Sequence, residues 1–116
     1  MGIPKEELTI DKKPDRLLKG TTVPNLVKTE KLAAGTWKRG MVIGKKSDGT
    51  FGVIGDTGFD ETNIHAIVLE TKILAADGLI QVYFSGEFEK TALIVANSFD
   101  IEKLITPARK LNMIID

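Results

Sequence analysis

The 116 residues are the length of a single domain, and the 42% hydrophobic and 28% charged content is ordinary for a globular protein. Sixteen basic and sixteen acidic residues give a net charge of +0, which argues against nucleic acid or an anionic membrane as the main partner. The absence of cysteine excludes disulfides and thiolate metal sites and suits synthesis in a reducing cytoplasm. The first residues contain no apolar signal core, which argues against secretion.

Residues 1–34 differ from the rest of the chain, because they contain three of its four prolines and no sustained apolar stripe. Short β-prone pieces occur at Thr9-Ile10 and at Thr21-Thr22-Val23, each close to a proline. Such a segment buries too little apolar surface to order by itself. We predict an extended arm over residues 1–34 that orders on a partner by adding a strand to the partner's sheet. The alternative is a leader without a role.

The pattern becomes that of a β domain from Gly35 onward. Two apolar runs, residues 41–44 and 50–54, flank Asp48-Gly49, and this arrangement predicts a hairpin. Residues 64–71 have the composition of a buried strand. A second Asp-Gly turn, Asp77-Gly78, leads into a further strand.

The most informative stretch is this strand, residues 79–88, which is interrupted by Ser85-Gly86. A glycine inside a strand marks a bend or a bulge, so the sequence predicts a β-ribbon that bends at Gly86. Residues 91–95 are apolar again and are predicted to continue the sheet.

A short helix is predicted near the C-terminus. Residues 97–100 contain capping side chains, and Ile101, Leu104 and Ile105 follow at helical spacing. Thr106-Pro107 either kinks this helix or starts a second one, with Thr106 as its N-cap. Residues 113–115 predict a last strand. The predicted fold is therefore mostly β, of the α+β class: a bent β-ribbon (β-clip-like) domain over residues 35–116, with a short C-terminal helix and the N-terminal arm.

The candidate catalytic motifs are all incomplete. Asp56-Thr57-Gly58 is the triplet of aspartic proteases, but Gly55 precedes it where an apolar residue is expected, and Phe59 follows where Ala or Ser is usual. A polar surface loop explains these residues better. Residues 40–47 imitate a phosphate-binding loop, but three residues separate the glycines where four are needed.

Metal and nucleophile sites are not indicated either. His65 is the only histidine, so neither a histidine metal cluster nor a Ser-His-Asp arrangement has enough members, and a structural role is predicted for it. Asp56, Asp60 and Glu61 lack the pattern of a calcium loop. The sequence therefore predicts no catalytic residue, no metal and no cofactor, and a protein that is not an enzyme.

Several motifs occur in an order that resembles one known family. They are Trp37-Lys38-Arg39-Gly40-Met41-Val42-Ile43-Gly44, Asp48-Gly49-Thr50-Phe51, Ala66-Ile67-Val68-Leu69-Glu70, Ser85-Gly86-Glu87-Phe88, Ala108-Arg109 and Met113-Ile114-Ile115. This order resembles the head decoration (capsid-stabilising) protein family of tailed bacteriophages over residues 35–116. The matching motif residues, expected to shape the fold, are Gly40, Ser85, Gly86, Glu87 and Phe88.

The resemblance implies a cement protein that binds as a homotrimer at the local three-fold axes of the expanded head, on the outer surface of the virion. Its partner would be the major capsid protein, with no nucleic acid or membrane involved. The expected capsid contacts are Thr9, Ile10, Thr21, Thr22 and Val23 through strand addition, with Trp37 and Arg39 near the root of the arm. Trp37 has an alternative role in closing one end of the sheet. The alternative function is a small β domain that binds a ligand or serves as an accessory module.

Overall fold

The computed structural model describes residues 17–20 and 23–116. Within these residues the protein is mostly β, with ten strands in three sheets and one short α-helix. The strands are β1 (Leu18–Gly20), β2 (Val27–Leu32), β3 (Gly35–Trp37), β4 (Val42–Lys45), β5 (Phe51–Val53), β6 (Ile64–Val68), β7 (Lys72–Leu74), β8 (Gly78–Tyr83), β9 (Gly86–Phe88) and β10 (Met113–Ile115). The helix α1 is Ile105–Arg109, and 3₁₀ turns lie at Glu61–Asn63, Lys90–Ala92 and Ile101–Leu104. The predicted fold class is confirmed.

The largest sheet has the strand order β2-β8-β6-β4-β5, and every neighbouring pair is antiparallel. The predicted hairpin is its β4-β5 pair, with Ile43 opposite Val53. In the turn, the Thr50 N–H donates to Asp48 Oδ1 at 2.9 Å, so the aspartate satisfies a backbone group that the ladder leaves free. The local signal was sufficient here because the turn and both strands are close together in the sequence.

Both faces of this sheet are covered. Successive strand residues point to opposite faces, so Val42 and Ile67 lie in one core, whereas Ile43 and Ala66 lie in the other. The first core is closed by the three-stranded sheet, the 3₁₀ turn Ile101–Leu104 and α1, which contribute Phe88, Leu104, Ala108, Met113 and Ile115. The second core is covered by the two-stranded β3-β7 ribbon, which contributes Trp37 and Leu74.

A three-stranded sheet, β1-β9-β10, lies beyond the bend of the long ribbon. The chain leaves the five-stranded sheet at Tyr83, bends through residues 84–85 and joins the second sheet at Gly86. Strand β9 is central: β1 pairs with it antiparallel, and β10 pairs with it parallel. The bend predicted at Ser85-Gly86 therefore connects two sheets.

The structure corrects the predicted end of the arm. Residues 27–32 form β2, which pairs with β8 along its whole length, and Leu32 is 1% exposed. Residues 18–20 form β1. The boundary at residue 34 therefore lies inside the folded unit, because strand pairing across the chain recruits residues whose local composition resembles a linker. Residues 1–16 and 21–22 lie outside the described residues.

Two further predictions need correction. Residues 91–95 do not continue the sheet as a strand, since Lys90–Ala92 is a 3₁₀ turn and Ile94 makes only an isolated parallel bridge to Met41. Near the C-terminus, Asp100 caps the 3₁₀ turn Ile101–Leu104, which continues directly into α1. The N-cap of α1 is Leu104, so Thr106 does not cap a second helix, and Pro107 lies in the first turn, where its missing N–H is tolerated.

No helix in the described part of the chain is long and apolar enough to cross a membrane.

Candidate functional site at the Ser-Gly corner

The motif Ser85-Gly86-Glu87-Phe88, named the corner from here on, brings the first and last described strands together. Phe88 is opposite Leu18 of β1 on one side and Ile115 of β10 on the other. Gly86 has a φ of +146°, and a Cβ at this position would lie 2.5 Å from Asn25 Oδ1. A side chain at Gly86 is therefore disfavoured by the backbone conformation, and it would also displace the Asn25 side chain.

Ser85 attaches residues 23–26 to the corner. It is only 4% exposed, and its hydroxyl donates to the Pro24 carbonyl at 2.6 Å. The same oxygen accepts a hydrogen bond from the Leu26 N–H at 3.2 Å. The buried Ser85 hydroxyl therefore has both a donor and an acceptor partner and leaves no hydrogen bond unmade. These two bonds fix the path of residues 24–26 past the corner.

Glu87 makes the second attachment. Its carboxylate oxygen Oε2 accepts a hydrogen bond from the Val23 N–H at 3.0 Å. Gly20 of β1 lies directly beside the same carboxylate, because a Cβ on Gly20 would be 1.9 Å from Glu87 Oε1. The carboxylate therefore reaches the Val23 amide past the backbone of β1, and a side chain at position 20 would displace it from this position.

Phe88 closes the corner from inside. Its side chain is fully buried in the first core, and its ring meets Tyr83 in a T-shaped contact with the ring centroids 5.6 Å apart. Ser85 and Glu87 thus bind the incoming chain, while Phe88 fixes β9 to the core. These residues therefore make contacts that define the local fold, and their correspondence to the family motif stays a prediction.

Charged groups next to the corner add a weaker attachment. Lys19 Nζ of β1 lies 3.7 Å from Glu89 Oε1. Hydrogen bonds from the backbone and the hydroxyl of Thr91 hold the pKa of Glu89 below its ordinary value of 4.5, and Lys19 adds to this effect. Nearby, a hydrogen bond to Glu102 raises the pKa of Lys90. These groups lie at the surface, where solvent screens such pairs.

A shallow pocket of about 400 Å³ lies beside the corner, lined by Val23, Pro24, Leu26, Ser85 and Asn112. The Ser85 hydroxyl is already bonded to Pro24 and Leu26, so it is not directed at a ligand. Leu26 is 60% exposed at the rim of this pocket.

Of the capsid contacts predicted from the sequence, Val23, Trp37 and Arg39 lie among the described residues. Thr9, Ile10, Thr21 and Thr22 lie outside the described residues. Val23 is half-buried, with its N–H bonded to Glu87. Trp37 is 7% exposed in the second core, and its indole N–H donates to the Ala33 carbonyl at 2.9 Å. Burial of Trp37 favours its alternative role in covering the sheet.

Arg39 and Gly40 lie just beyond the end of β3, close to the start of the described chain at Leu17. An Arg39 guanidinium nitrogen donates to the Leu69 carbonyl at 2.8 Å and to the Tyr83 hydroxyl at 3.1 Å. A Cβ on Gly40 would lie 2.7 Å from the Ala92 carbonyl oxygen and 3.8 Å from Leu17 Cδ1. The expectation that Arg39 lies near the arm's root is thus compatible with the structure, but its side chain is used inside the fold.

His65, for which the sequence predicts a structural role, lies on the face of the sheet that carries the second core, among partners that sequence reasoning did not identify. His65 Nε2 lies 2.8 Å from Glu30 Oε2, and its ring lies between those of Phe51 and Phe84, with centroids 5.3 and 5.0 Å away. Lys28 covers Phe84. The only sequence signal was a single histidine beside a buried strand. Its partners come from three separate segments, and a register shift in the β4-β6 pairing occurs at this residue.

The Asp-Thr-Gly segment is a folded surface loop. The Gly55 N–H donates to the Phe59 carbonyl at 2.9 Å, and Asn97 Nδ2 donates to the Gly55 carbonyl at 3.0 Å. Phe59 is buried in the first core, whereas Asp56 is exposed. Among the described residues, no three or more His, Asp or Glu side chains are grouped so that they could hold a metal ion.

Comparison with models of known protein families gives no match, and comparison with curated proteins gives none either.

Proposed function

We propose that this protein decorates the head of a tailed phage and cements its shell. It would bind the major capsid protein from outside, as a homotrimer at the local three-fold axes of the expanded head. The order of the motifs from Trp37 to Ile115 suggested this function. The proposal assigns the protein no catalysis and no cofactor.

The observation that carries the proposal is the construction of the corner. The motif that the resemblance singles out, Ser85 to Phe88, binds residues 23–26 and pairs with β1. A decoration protein needs a stable domain with a capsid-binding segment attached at a defined place. The corner is suited to this task, because it connects the core to β1 and residues 23–26, which belong to the predicted arm.

The assembly would gain its strength from repetition. A closed three-fold ring places three copies of the arm on neighbouring capsid subunits, so that individually weak contacts combine as avidity. If the binding sites exist only on the expanded lattice, binding stabilises that lattice relative to the unexpanded one by linkage. Stabilisation of the shell then follows from differential binding alone.

The contacts assigned to the capsid are revised by the structure. Strand addition is proposed for the segment that contains Thr9 and Ile10, with Thr21 and Thr22 as further candidates. The Val23 N–H is bonded to Glu87 and is not free to pair with another strand. Trp37 and Arg39 are used within the fold, so we assign them to its stability.

The decisive experiment mixes the purified protein with undecorated heads of its parent phage, expanded and unexpanded, and images both by cryo-electron microscopy. We expect density over the three-fold sites of expanded heads only. Absence of density on both forms would reject the proposal. A chain that lacks residues 1–16 keeps every described residue and is expected not to bind, so undiminished binding by it would reject the arm as the capsid-binding segment.

A ligand-binding β domain is the second candidate, and the pocket of about 400 Å³ beside Ser85 and Asn112 is the observation that favours it. Decoration is preferred because the Ser85 hydroxyl in that pocket is occupied by backbone groups. Screening small molecules by the chemical shift of the Asn112 side-chain amide would test the alternative. Saturable shifts together with failure to bind heads would reverse this preference.

A further inference from the structure

We propose that Glu87, together with Ser85, is the positioning residue for the capsid-binding segment. It holds β1 and residues 23–26 on the corner and so fixes the point on the domain to which residues 1–16 are attached. This inference rests on the proposed function and assigns a role to a named carboxylate within it. Three features of the corner carry the argument.

The first feature is the weakness of β1 by itself. It contains three residues, lies at the edge of its sheet and pairs with β9 through a shifted register. A strand this short and at an edge is marginal without other attachments. Its position therefore depends on the contacts at its two ends.

The second feature is how those ends are held. At the start, the Leu17 side chain is 2% exposed in the first core, and its carbonyl accepts a hydrogen bond from the Glu89 N–H at 2.8 Å. At the other end, the chain is held by the Glu87 carboxylate on the Val23 N–H. A hydrogen bond to an ionised acceptor is roughly twice as strong as a neutral one. The exposed Lys19–Glu89 pair contributes much less.

The third feature is that two positions distant in sequence fit one another. Gly20 has no side chain at the place where the Glu87 carboxylate passes, and a Cβ there would overlap Oε1 at 1.9 Å. With a side chain at position 20, the Glu87 carboxylate would have to leave the position in which it accepts the Val23 hydrogen bond. Ser85 completes the arrangement by binding Pro24 and Leu26, so the segment is held at both its beginning and its end.

The test compares full-length Glu87→Ala, Glu87→Gln and Gly20→Ala with Glu61→Ala, which removes an equivalent carboxylate from a 3₁₀ turn beside the other sheet. For each variant, we would measure amide hydrogen exchange at Val23 and Val82, urea unfolding, and affinity for expanded heads. We expect Glu87→Ala and Gly20→Ala to exchange the Val23 amide about tenfold faster while Val82 in β8 is unchanged, and to bind heads about tenfold more weakly. Glu87→Gln keeps an acceptor oxygen and should recover most of the affinity, and Glu61→Ala should match the wild type.

The outcomes separate this inference from the proposed function. If Glu87→Ala loosens Val23 but binds heads as tightly as the wild type, while the chain without residues 1–16 does not bind, the positioning role is wrong and the decoration function stands. Unchanged Val23 exchange in both Glu87→Ala and Gly20→Ala would also overturn the positioning role. Failure of the wild type to bind expanded heads would reject both. If Glu87→Ala does not fold, Gly20→Ala compared with Glu87→Gln still decides the question.

Discussion

Single side chains in this protein often serve two segments that are far apart in the sequence. Arg39 is the clearest case after Glu87. Its guanidinium binds the Leu69 carbonyl and the Tyr83 hydroxyl, its carbon Cζ lies 5.6 Å from the Tyr83 ring centroid, and its backbone N–H donates to Thr71 Oγ1 at 3.0 Å. Both side-chain hydrogen bonds come from the guanidinium nitrogen Nη1 while the same planar group lies over the Tyr83 ring, and the compact ammonium of a lysine does not reproduce this arrangement.

Arg39→Lys is therefore expected to lower the free energy of unfolding by about 1–2 kcal/mol, because it leaves the Leu69 carbonyl or the Tyr83 hydroxyl without its donor. Urea unfolding followed by circular dichroism measures the change. Lys38→Ala, at the exposed neighbouring position, is the control and should stay within about 0.5 kcal/mol of the wild type. Equal stability of Arg39→Lys and wild type would show that these contacts contribute little.

The stability of the fold is expected to depend on pH through Asp60. The Thr62 hydroxyl and backbone N–H both donate to Asp60 Oδ1, at 2.6 and 2.9 Å, and hold the pKa of Asp60 below its ordinary value of 3.8. The unfolded chain therefore takes up a proton at Asp60 more readily than the folded one. The resulting stabilisation is present above the unfolded pKa and is lost as the pH falls through the folded pKa.

We expect Asp60→Asn, which keeps a capping oxygen, to reduce the loss of stability that the wild type shows between about pH 5 and pH 2. The measurement is the urea midpoint across that range. Asp77→Asn, which removes a carboxylate that accepts no hydrogen bond from the described residues, should retain the wild-type slope. If the urea midpoint of Asp60→Asn falls with decreasing pH as steeply as that of the wild type, this account is wrong.

At the scale of elements, the β3-β7 ribbon shows how a small piece of sheet completes a core. Its inner face contributes Trp37 and Leu74 to the second core, whereas Ile73 of β7 is 76% exposed on the other side. The indole N–H is satisfied by the Ala33 carbonyl, so a large polar-tipped side chain is buried without an unmet donor. The ribbon therefore acts as a cover over the five-stranded sheet.

Removing the buried Trp37 side chain should lower the free energy of unfolding much more than removing the exposed Ile73 side chain. We expect Trp37→Ala to destabilise the protein by about 3–5 kcal/mol and Ile73→Ser to change stability by less than about 0.5 kcal/mol. Urea unfolding by circular dichroism compares them. Since Trp37 is the only tryptophan, the native emission should be blue-shifted and resist acrylamide quenching. Strong quenching of the wild type would indicate that the ribbon does not cover the core.

At the scale of the whole molecule, the two ends of the described chain are fixed to the same central strand. β1 and β10 flank β9, and the Asp116 N–H donates to the Phe88 carbonyl at 3.0 Å. The corner therefore joins the start and the end of the described chain. A truncation that reaches into this region should affect the fold as well as any binding.

Deletion of residues 1–16 and deletion of residues 1–24 are expected to behave differently. The shorter deletion keeps Leu17 and β1, so the unfolding free energy should change by less than about 1 kcal/mol. The longer one removes the buried Leu17 side chain and β1 and exposes part of Phe88, so a loss of about 2–5 kcal/mol is expected. Thermal and urea unfolding of both chains measure the difference. Equal stability of the two would mean that β1 does not contribute to the core.

The sequence by itself determined the features that depend on neighbouring residues. The composition of residues 64–71 predicted β6, Asp48-Gly49 predicted the β4-β5 hairpin, and Ser85-Gly86 predicted the bend between two strands, because turns and strand composition are set within a few residues. The mostly β class followed from these signals together.

Only the tertiary structure decided which segments pair across the chain. Residues 27–32 have the composition of a linker, but they form β2 because they pair with six residues of β8. Residues 91–95 have the composition of a strand, but their pairing is limited to the single bridge between Ile94 and Met41. The His65–Glu30 pair and the Glu87–Val23 contact likewise join residues separated by 35 and 64 positions. Such contacts form when the packed sheets bring distant residues together, and no local pattern in the sequence encodes that meeting.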